Sequence, residues 1–182
     1  MEKRKIKKVV ILGPESTGKS TMCTMLAALF NTIWVKEYAR EYLLKNGTNY
    51  SYENLYEIAQ GQLAAEKNTV ENTSKEIIFI DTDMYVVKVW SEYVFNKCDN
   101  RILNEIVQSD CDLYLLLNTD LPWEKDELRE YPDNETREKL FHFYKEEMQE
   151  QKKPWHIVSG QGNERFLNAL KIIENTLFIK KL

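Results

Sequence analysis

Short apolar runs alternate along the chain with longer segments whose apolar residues recur at helical spacing. Each run is a continuous apolar stretch rather than an alternation of apolar and polar positions, which is typical of strands buried on both faces of a sheet. Five runs fit this description and are predicted to be strands: residues 7–13, 32–35, 76–81, 112–118 and 155–160.

Between these runs, apolar residues three and four positions apart predict helices. Gly47 is placed to end one helix, and Ser51 to begin the next as its N-cap, with Asn54 at the third position. The predicted helices cover residues 22–30, 37–47, 51–73 and 84–95, a further segment ending near 109, and residues 135–151 and 163–178. Strands that alternate with one or two helices predict an α/β fold, a five-stranded parallel sheet with helices on both faces.

The length and net charge of the chain exclude several classes of protein. The 182 residues suffice for one domain, predicted to span residues 1–182, and the net charge of −4 disfavours a nucleic-acid-binding protein. The apolar run after the basic start is too short for a signal peptide, and no run is long enough to cross a membrane. The three cysteines show no metal-binding spacing. We therefore expect a cytoplasmic protein with reduced thiols.

The stretch from Gly13 to Ser20 has the spacing G-x-x-x-x-G-K-S, directly after a predicted strand and before a predicted helix. That context is the one in which this motif forms a phosphate-binding loop, because its backbone N–H groups and the helix N-terminus converge on a phosphate. Lys19 is predicted to reach the β- and γ-phosphates, and Ser20 to hold Mg²⁺. The predicted nucleotide-binding residues of the loop are Gly13, Glu15, Ser16, Thr17, Gly18, Lys19, Ser20 and Thr21.

The tetrad from Asn96 to Asp99 spells N-K-C-D, which matches the guanine-reading motif of GTPases. That motif belongs at the end of a hydrophobic strand, whereas the residues before this one fit a helix. The chain also lacks D-x-x-G. We therefore interpret the tetrad as the end of a helix and a loop.

Carboxylates follow two of the predicted strands, at the sheet edge where ligands bind in folds of this class. Asp81 is a candidate for supporting Mg²⁺, and Asp83 either contacts a substrate or caps the following helix. Glu37 is placed to accept a proton from an attacking hydroxyl, or is a first-turn acid favoured by the helix dipole. Arg40, one turn further on, is a candidate for binding substrate or phosphate. Which of the three acids is the general base stays open at this point.

The charged, proline-containing stretch after the fourth strand predicts a small lid over about residues 119–137. Small kinases carry arginines in such a lid, which close on the transferring phosphate and exclude water. Arg129 and Arg137 are the candidates here. A solvated helix face with paired charges is the alternative interpretation.

Taken in order along the chain, several stretches resemble the kinase domain of NadR-type ribosylnicotinamide kinases, over nearly the whole length. The stretches are GPESTGKST, EYAREYL, IAQGQ, DTDMYVVKVWSEYVF, DLYLLLNTDLPWEKDELRE and GQGNERF. The resemblance implies the P-loop NTPase fold of nucleoside and adenylate kinases. It also implies a stand-alone member, since the adenylyltransferase domain of bifunctional members is not found in these residues.

The resemblance further implies an enzyme that transfers the γ-phosphate of ATP, with Mg²⁺, to the 5′-hydroxyl of ribosylnicotinamide, giving nicotinamide mononucleotide in NAD salvage. It places Glu37 and Asp81 on the acceptor side and Arg129 in the lid. Lys19, Glu37, Asp81 and Arg129 are then the candidate catalytic residues. Gly160 would lie near the adenine, and Tyr38 and Trp90 would form walls of the acceptor pocket.

One position departs from the family pattern. Some members carry an aromatic residue before the glutamate of the second strand, where it stacks on the nicotinamide ring, and this chain has Lys36 there. Another nucleoside, or a hydroxylated vitamin such as thiamine, therefore stays open as the acceptor. A regulatory ATP-binding module with little turnover is the alternative from a different class of function.

Overall fold

The computed structural model describes residues 5–178, so residues 1–4 of the basic start lie outside the described part. Strands and helices alternate through most of it, as the apolar pattern predicts. The elements are β1 (Lys7–Leu12), α1 (Lys19–Leu29), β2 (Trp34–Val35), α2 (Tyr38–Asn46), α3 (Tyr52–Asn72), β3 (Ile77–Asp81), α4 (Met84–Phe95), α5 (Asn100–Gln108), β4 (Leu113–Leu117), α6 (Asn134–Glu150), β5 (Trp155–Val158) and α7 (Gly162–Leu177).

The five strands form one sheet in the order β2-β3-β1-β4-β5, and every pairing is parallel. β1 lies at the centre, with Val9 opposite Phe79 of β3 on one side and Leu113 of β4 on the other. The chain crosses from β3 on one side of β1 to β4 on the other, so a crevice opens beyond the carboxyl end of β1. The predicted α/β fold is confirmed.

Helices cover both faces of the sheet, because alternate residues of β1 point to opposite sides. Val9 and Ile11 pack in a core with α1 and α7, whereas Val10 and Leu12 pack with α4 and α6. A third apolar cluster joins α3, α4 and α5 through residues that include Leu55, Ile58, Met84 and Ile102. Within the described residues, no helix is both long and apolar enough to span a bilayer.

The observed element ends follow local capping chemistry. α1 starts at Lys19, three residues before the first apolar residue of its pattern, because periodicity reports only the buried side of a helix. Asn54 Oδ1 accepts the backbone N–H of Ser51 at 2.8 Å, as the predicted N-cap requires. Asn96 ends α4 with a φ of 54°, and Asp99 caps α5, so the N-K-C-D tetrad connects two helices.

Asp83 serves as the N-cap of α4. Its carboxylate accepts the backbone N–H of Tyr85 at 2.9 Å, and the residue is 8% exposed. Burial raises the pKa of this carboxyl from 3.8 to about 7. The folded protein therefore holds a proton that the unfolded chain releases between these values, so the free energy of unfolding falls as the pH rises through this range.

Asp83→Asn should remove this dependence, since asparagine is an equally good N-cap and carries no charge. We expect the variant to gain on the order of 2–4 kcal/mol over the wild type at pH 8, and little at pH 4. Urea unfolding without Mg²⁺ at both pH values measures the difference. A gain of equal size at both pH values would contradict a titrating Asp83.

Candidate active site

A cavity of about 930 Å³ opens at the carboxyl edge of the sheet. It is bounded by the glycine loop before α1, the ends of β2 and β3, helices α2 to α4, and the β4–α6 loop (residues 118–133). Most of the site residues predicted from the sequence line this cavity. They are Gly13, Glu15, Ser16, Thr17, Gly18, Lys19, Ser20, Thr21, Glu37, Arg40, Asp81, Trp90 and Arg129.

The glycine loop has the compact geometry that a phosphate cradle needs. Gly13 has a φ of 137°, and a Cβ there would lie 2.8 Å from the carbonyl oxygen of Leu117. Thr17 Oγ1 donates to the Pro14 carbonyl at 2.8 Å and closes the loop on itself. Lys19 Nζ donates to the carbonyls of Gly13 and Pro14, at 2.9 and 3.0 Å. The ammonium is therefore held over the loop.

Asp81 and Ser20 contact each other in the cavity wall. Asp81 ends β3 and is 1% exposed, and its Oδ2 accepts a hydrogen bond from Ser20 Oγ at 2.5 Å. Its Oδ1 is buried without a hydrogen-bond partner, so the carboxylate has an oxygen to offer. Mg²⁺ takes few protein ligands of this kind and completes its shell with water and phosphate oxygens. These two residues fit such an ion.

Glu37 precedes α2 as its N-cap residue, but its side chain makes no capping hydrogen bond. Burial raises the pKa of this carboxyl, and neighbouring Asp81 adds to the shift while Lys19 and Arg40 oppose it. A carboxyl with a raised pKa that lines a cavity is suited to accept a proton near neutral pH.

Gln62 bridges the segments that carry these two acids, and sequence reasoning gave it no role. Its Oε1 accepts the backbone N–H of Tyr38 at 2.8 Å, and its Nε2 donates to the Thr82 carbonyl at 3.2 Å. The residue is 2% exposed and continues the apolar face of α3. A glutamine on an otherwise apolar helical face is the signal that could have identified it.

Glu15 of the glycine loop holds the β4–α6 loop in place. Its carboxylate accepts three hydrogen bonds, from the Trp123 indole N–H at 3.2 Å and from the backbone N–H groups of Glu130 and Tyr131 at 3.0 and 2.7 Å. Ser16 Oγ accepts the backbone N–H of Glu124 at 2.9 Å. The glycine loop and the β4–α6 loop therefore form one hydrogen-bonded unit.

The arginines around the cavity differ in their surroundings. Arg129 lines the cavity and donates to the Glu124 carbonyl within its own loop. Arg40 also lines it and makes a bidentate ion pair with Asp126, with both N–O distances at 3.0 Å. Arg137 lies instead in the first turn of α6, so the predicted lid range includes the start of a helix.

Arg137 is 2% exposed and is not among the cavity-lining residues. Its Nη2 donates to the carbonyls of Leu121 and Ser16, at 3.1 and 3.4 Å, and its Nε is buried without a partner. Burial lowers the pKa of the guanidinium. The arginine thus lies behind the glycine loop, with one donor still unused.

Three further nominated residues lie outside the cavity wall. The ring of Tyr38 packs on Gly61 of α3, where a Cβ would approach it to 2.0 Å. Asp83 caps α4 and lies beside a separate small cavity. Gly160 has a φ of 103°, and its N–H donates to Asp120 Oδ2 at 2.7 Å.

Arg165 connects the Gly160 loop to the glycine loop. Its guanidinium pairs with Asp120 and donates to the carbonyls of Asn118 and Thr17, at 2.8 and 3.1 Å. It is 4% exposed, on the first turns of α7. The sequence shows a charged residue in a helix, a pattern that ordinarily predicts a solvated side chain, and so gave no signal for this role.

Side chains away from the glycine loop make part of the cavity apolar and aromatic. Trp90 Nε1 donates to the Tyr50 hydroxyl at 2.5 Å, and both residues line the cavity. Lys36 lines it as well and is exposed, so its ammonium is available to a ligand.

Curated relatives match the chain over most of its length. It is 27% identical over 177 residues to the trifunctional NAD biosynthesis/regulator protein NadR of Salmonella typhimurium, and 27% identical to the same protein of Escherichia coli. Each alignment covers 94% of this chain and 43% of the relative. The chain therefore spans less than half of the length of these relatives.

Solved structures show the same fold. A NadR protein in complex with NR superposes with a TM-score of 0.80 at 22% identity, covering 96% of this chain and 50% of that one. A thymidylate kinase from Ehrlichia chaffeensis superposes with a TM-score of 0.68 at 11% identity, covering 92% and 98%. The arrangement of strands and helices is thus the P-loop kinase fold.

The family AAA_28, described as an AAA domain, matches residues 8–165. This range begins in β1 and runs through the glycine loop, the two acidic strand ends and the β4–α6 loop to Arg165. The chain belongs to the AAA_28 family of AAA domains.

Proposed function

We propose that this chain is an ATP-dependent kinase that phosphorylates the 5′-hydroxyl of ribosylnicotinamide to give nicotinamide mononucleotide. The observation that carries the proposal is the meeting, in one cavity, of Lys19, the Ser20–Asp81 pair and Glu37, whose carboxylate makes no capping bond. Similar proteins support the choice of ligands, since NadR structures are complexes with NR and with NAD and AMP-PNP.

On this proposal the glycine loop binds the phosphates of ATP through its backbone N–H groups, and Lys19 moves from the loop carbonyls to the phosphate oxygens. Ser20 and Asp81 would hold Mg²⁺, which supplies positive charge to the β- and γ-phosphates when bound. Glu37 accepts the proton of the attacking hydroxyl. Residues from about 119 to 133 act as a lid that carries Arg129 to the transferring phosphate and excludes water.

Glu37→Gln should remove acceptor-dependent turnover while leaving nucleotide binding intact. We expect ADP release with ribosylnicotinamide to fall by roughly 100-fold or more, since general-base catalysis contributes about that much. The wild-type rate should also fall as the pH drops through the raised pKa of Glu37, where the carboxyl becomes protonated. Coupled assays over a pH series, with nucleotide titrations beside them, measure both effects.

Glu71→Gln is the control, because this acid lies exposed at the end of α3. ATP turnover that needs no acceptor, and that survives Glu37→Gln, would instead favour a regulatory module. If turnover rises only with thiamine or another nucleoside, the protein is still a kinase, but its acceptor is not ribosylnicotinamide.

Lys36→Met should improve the use of a positively charged acceptor. The wild-type ammonium lines the cavity and repels the nicotinamide ring, whereas methionine keeps the length of the side chain without its charge. We expect the KM for ribosylnicotinamide to fall roughly threefold to tenfold, as removal of one nearby like charge permits. Steady-state kinetics with ribosylnicotinamide and with an uncharged nucleoside would show whether the change follows the charge of the acceptor.

Glu15→Ala should free the lid by removing the acceptor of three hydrogen bonds. We expect faster tryptic cleavage at Lys125 and Arg129, together with more ATP hydrolysis in the absence of acceptor, because water then reaches the phosphate. Mass spectrometry of timed digests locates the cuts. Cleavage at the wild-type rate would show that other contacts hold the lid.

A further inference from the structure

Three side chains from separate segments of the chain line the same cavity. Tyr50 precedes α3, Trp90 lies on α4, and Glu130 comes from the β4–α6 loop. The Trp90 indole N–H donates to the Tyr50 hydroxyl at 2.5 Å. Glu130 lies close enough for its charge to raise the pKa of that hydroxyl, after the larger effect of burial.

Neighbouring aromatic rings hold Trp90 and Tyr50 in place. The Trp90 ring meets the Tyr131 ring edge-on, with centroids 5.6 Å apart and an interplanar angle of 69°. Tyr50 meets Phe95 edge-on, at 6.1 Å and 74°. Because Tyr131 is tied to Glu15 through its backbone N–H, the β4–α6 loop and the aromatic rings hold one another in position.

The Glu130 carboxylate forms no ion pair within the described part of the chain. Its backbone N–H donates to Glu15 Oε2 at 3.0 Å, but its carboxylate takes part in none of the described ion pairs or hydrogen bonds. The residue is exposed, and partial desolvation, followed by repulsion from Glu15, raises the pKa of this carboxyl. A solvent-accessible carboxylate that lines a cavity next to aromatic rings, without an ion-pair partner among the described residues, can pair with a positively charged ring bound there.

We propose that Glu130 is a specificity-determining residue that selects an acceptor nucleoside whose base is a positively charged ring over one whose base is neutral. Trp90 and Tyr50 give the ring an aromatic surface, and the Glu130 carboxylate supplies the opposite charge, which also offsets the ammonium of Lys36 in the same cavity. This inference rests on the proposed nucleoside kinase activity and deepens it.

The test compares two acceptors that differ in ring charge and little else, namely ribosylnicotinamide and its 1,4-dihydro form, whose ring is neutral. Glu130→Gln keeps the shape of the side chain and removes its charge. We expect its KM for ribosylnicotinamide to rise roughly threefold to tenfold, the scale of losing one nearby opposite charge in a partly solvated site. Its KM for the dihydro form, and kcat for both, should stay within about twofold of the wild-type values.

Glu138→Gln is the matched control, because Glu138 is an exposed acid of α6, shortly after that loop, and is not among the cavity-lining residues. It should leave the kinetics of both acceptors unchanged. An equal rise in KM for both acceptors with Glu130→Gln, or no rise for either, would overturn the selection of a charged ring.

A binding measurement separates this inference from the proposed activity. N-methylnicotinamide carries the charged ring without a ribose, and nicotinamide is its neutral counterpart. We expect N-methylnicotinamide to quench the tryptophan fluorescence saturably in the wild type, with an affinity roughly threefold to tenfold lower in Glu130→Gln, and nicotinamide to have no saturable effect. If N-methylnicotinamide binds selectively and through Glu130, but the protein phosphorylates neither acceptor, the charged-ring subsite stands and the kinase proposal is rejected. If the protein phosphorylates ribosylnicotinamide but shows no saturable quenching, the kinase proposal stands and the charged-ring subsite is rejected.

Discussion

The approach of β1 to β4 at their carboxyl ends is the constraint on which the site depends. Only a residue without a Cβ can follow β1 there, because the Leu117 carbonyl lies 2.8 Å from the place that a Gly13 Cβ would take. The chain then turns tightly enough for α1 to start at Lys19. Since β3 pairs with β1 on the other side, Asp81 ends level with Ile11 and lies next to Ser20.

Charged side chains of both signs line the cavity. Lys19 and Arg129 belong to the glycine loop and the β4–α6 loop, the segments to which the proposed function assigns the phosphates. The acids Glu37 and Asp81 lie at the ends of neighbouring strands, and Gln62 ties their segments together. The buried glutamine thus fixes the distance between two carboxylates that repel each other.

Much of the fold could be predicted from the sequence, because buried parallel strands are continuous apolar runs and amphipathic helices repeat at a fixed spacing. The run at residues 32–35 predicts the position of β2, although only Trp34 and Val35 pair with β3. The sequence also predicts that the glycine loop, Asp81 and Glu37 lie at one edge of the sheet, since each follows a strand, and all of them line the cavity there.

The rest of the site depends on contacts between residues far apart in the sequence. Glu15 belongs to a recognisable motif, but its three donors lie more than a hundred residues away. Arg165 and Arg137 have the ordinary positions of solvated helix residues and are instead almost fully buried. Tyr38 was expected in the cavity wall, but a glycine one helix away offers its ring a better-packed place.

The short β2 strand affects how proteins of this fold can change their acceptor during evolution. Helices α2 and α3 form much of the wall that an acceptor would touch, and α2 is joined to the sheet by a strand of two residues at its edge. The glycine loop, by contrast, follows the central strand. Substitutions in the edge segment can therefore accumulate without disturbing the phosphate cradle, so an ancestral enzyme of this fold could change its acceptor during evolution while keeping its phosphate donor.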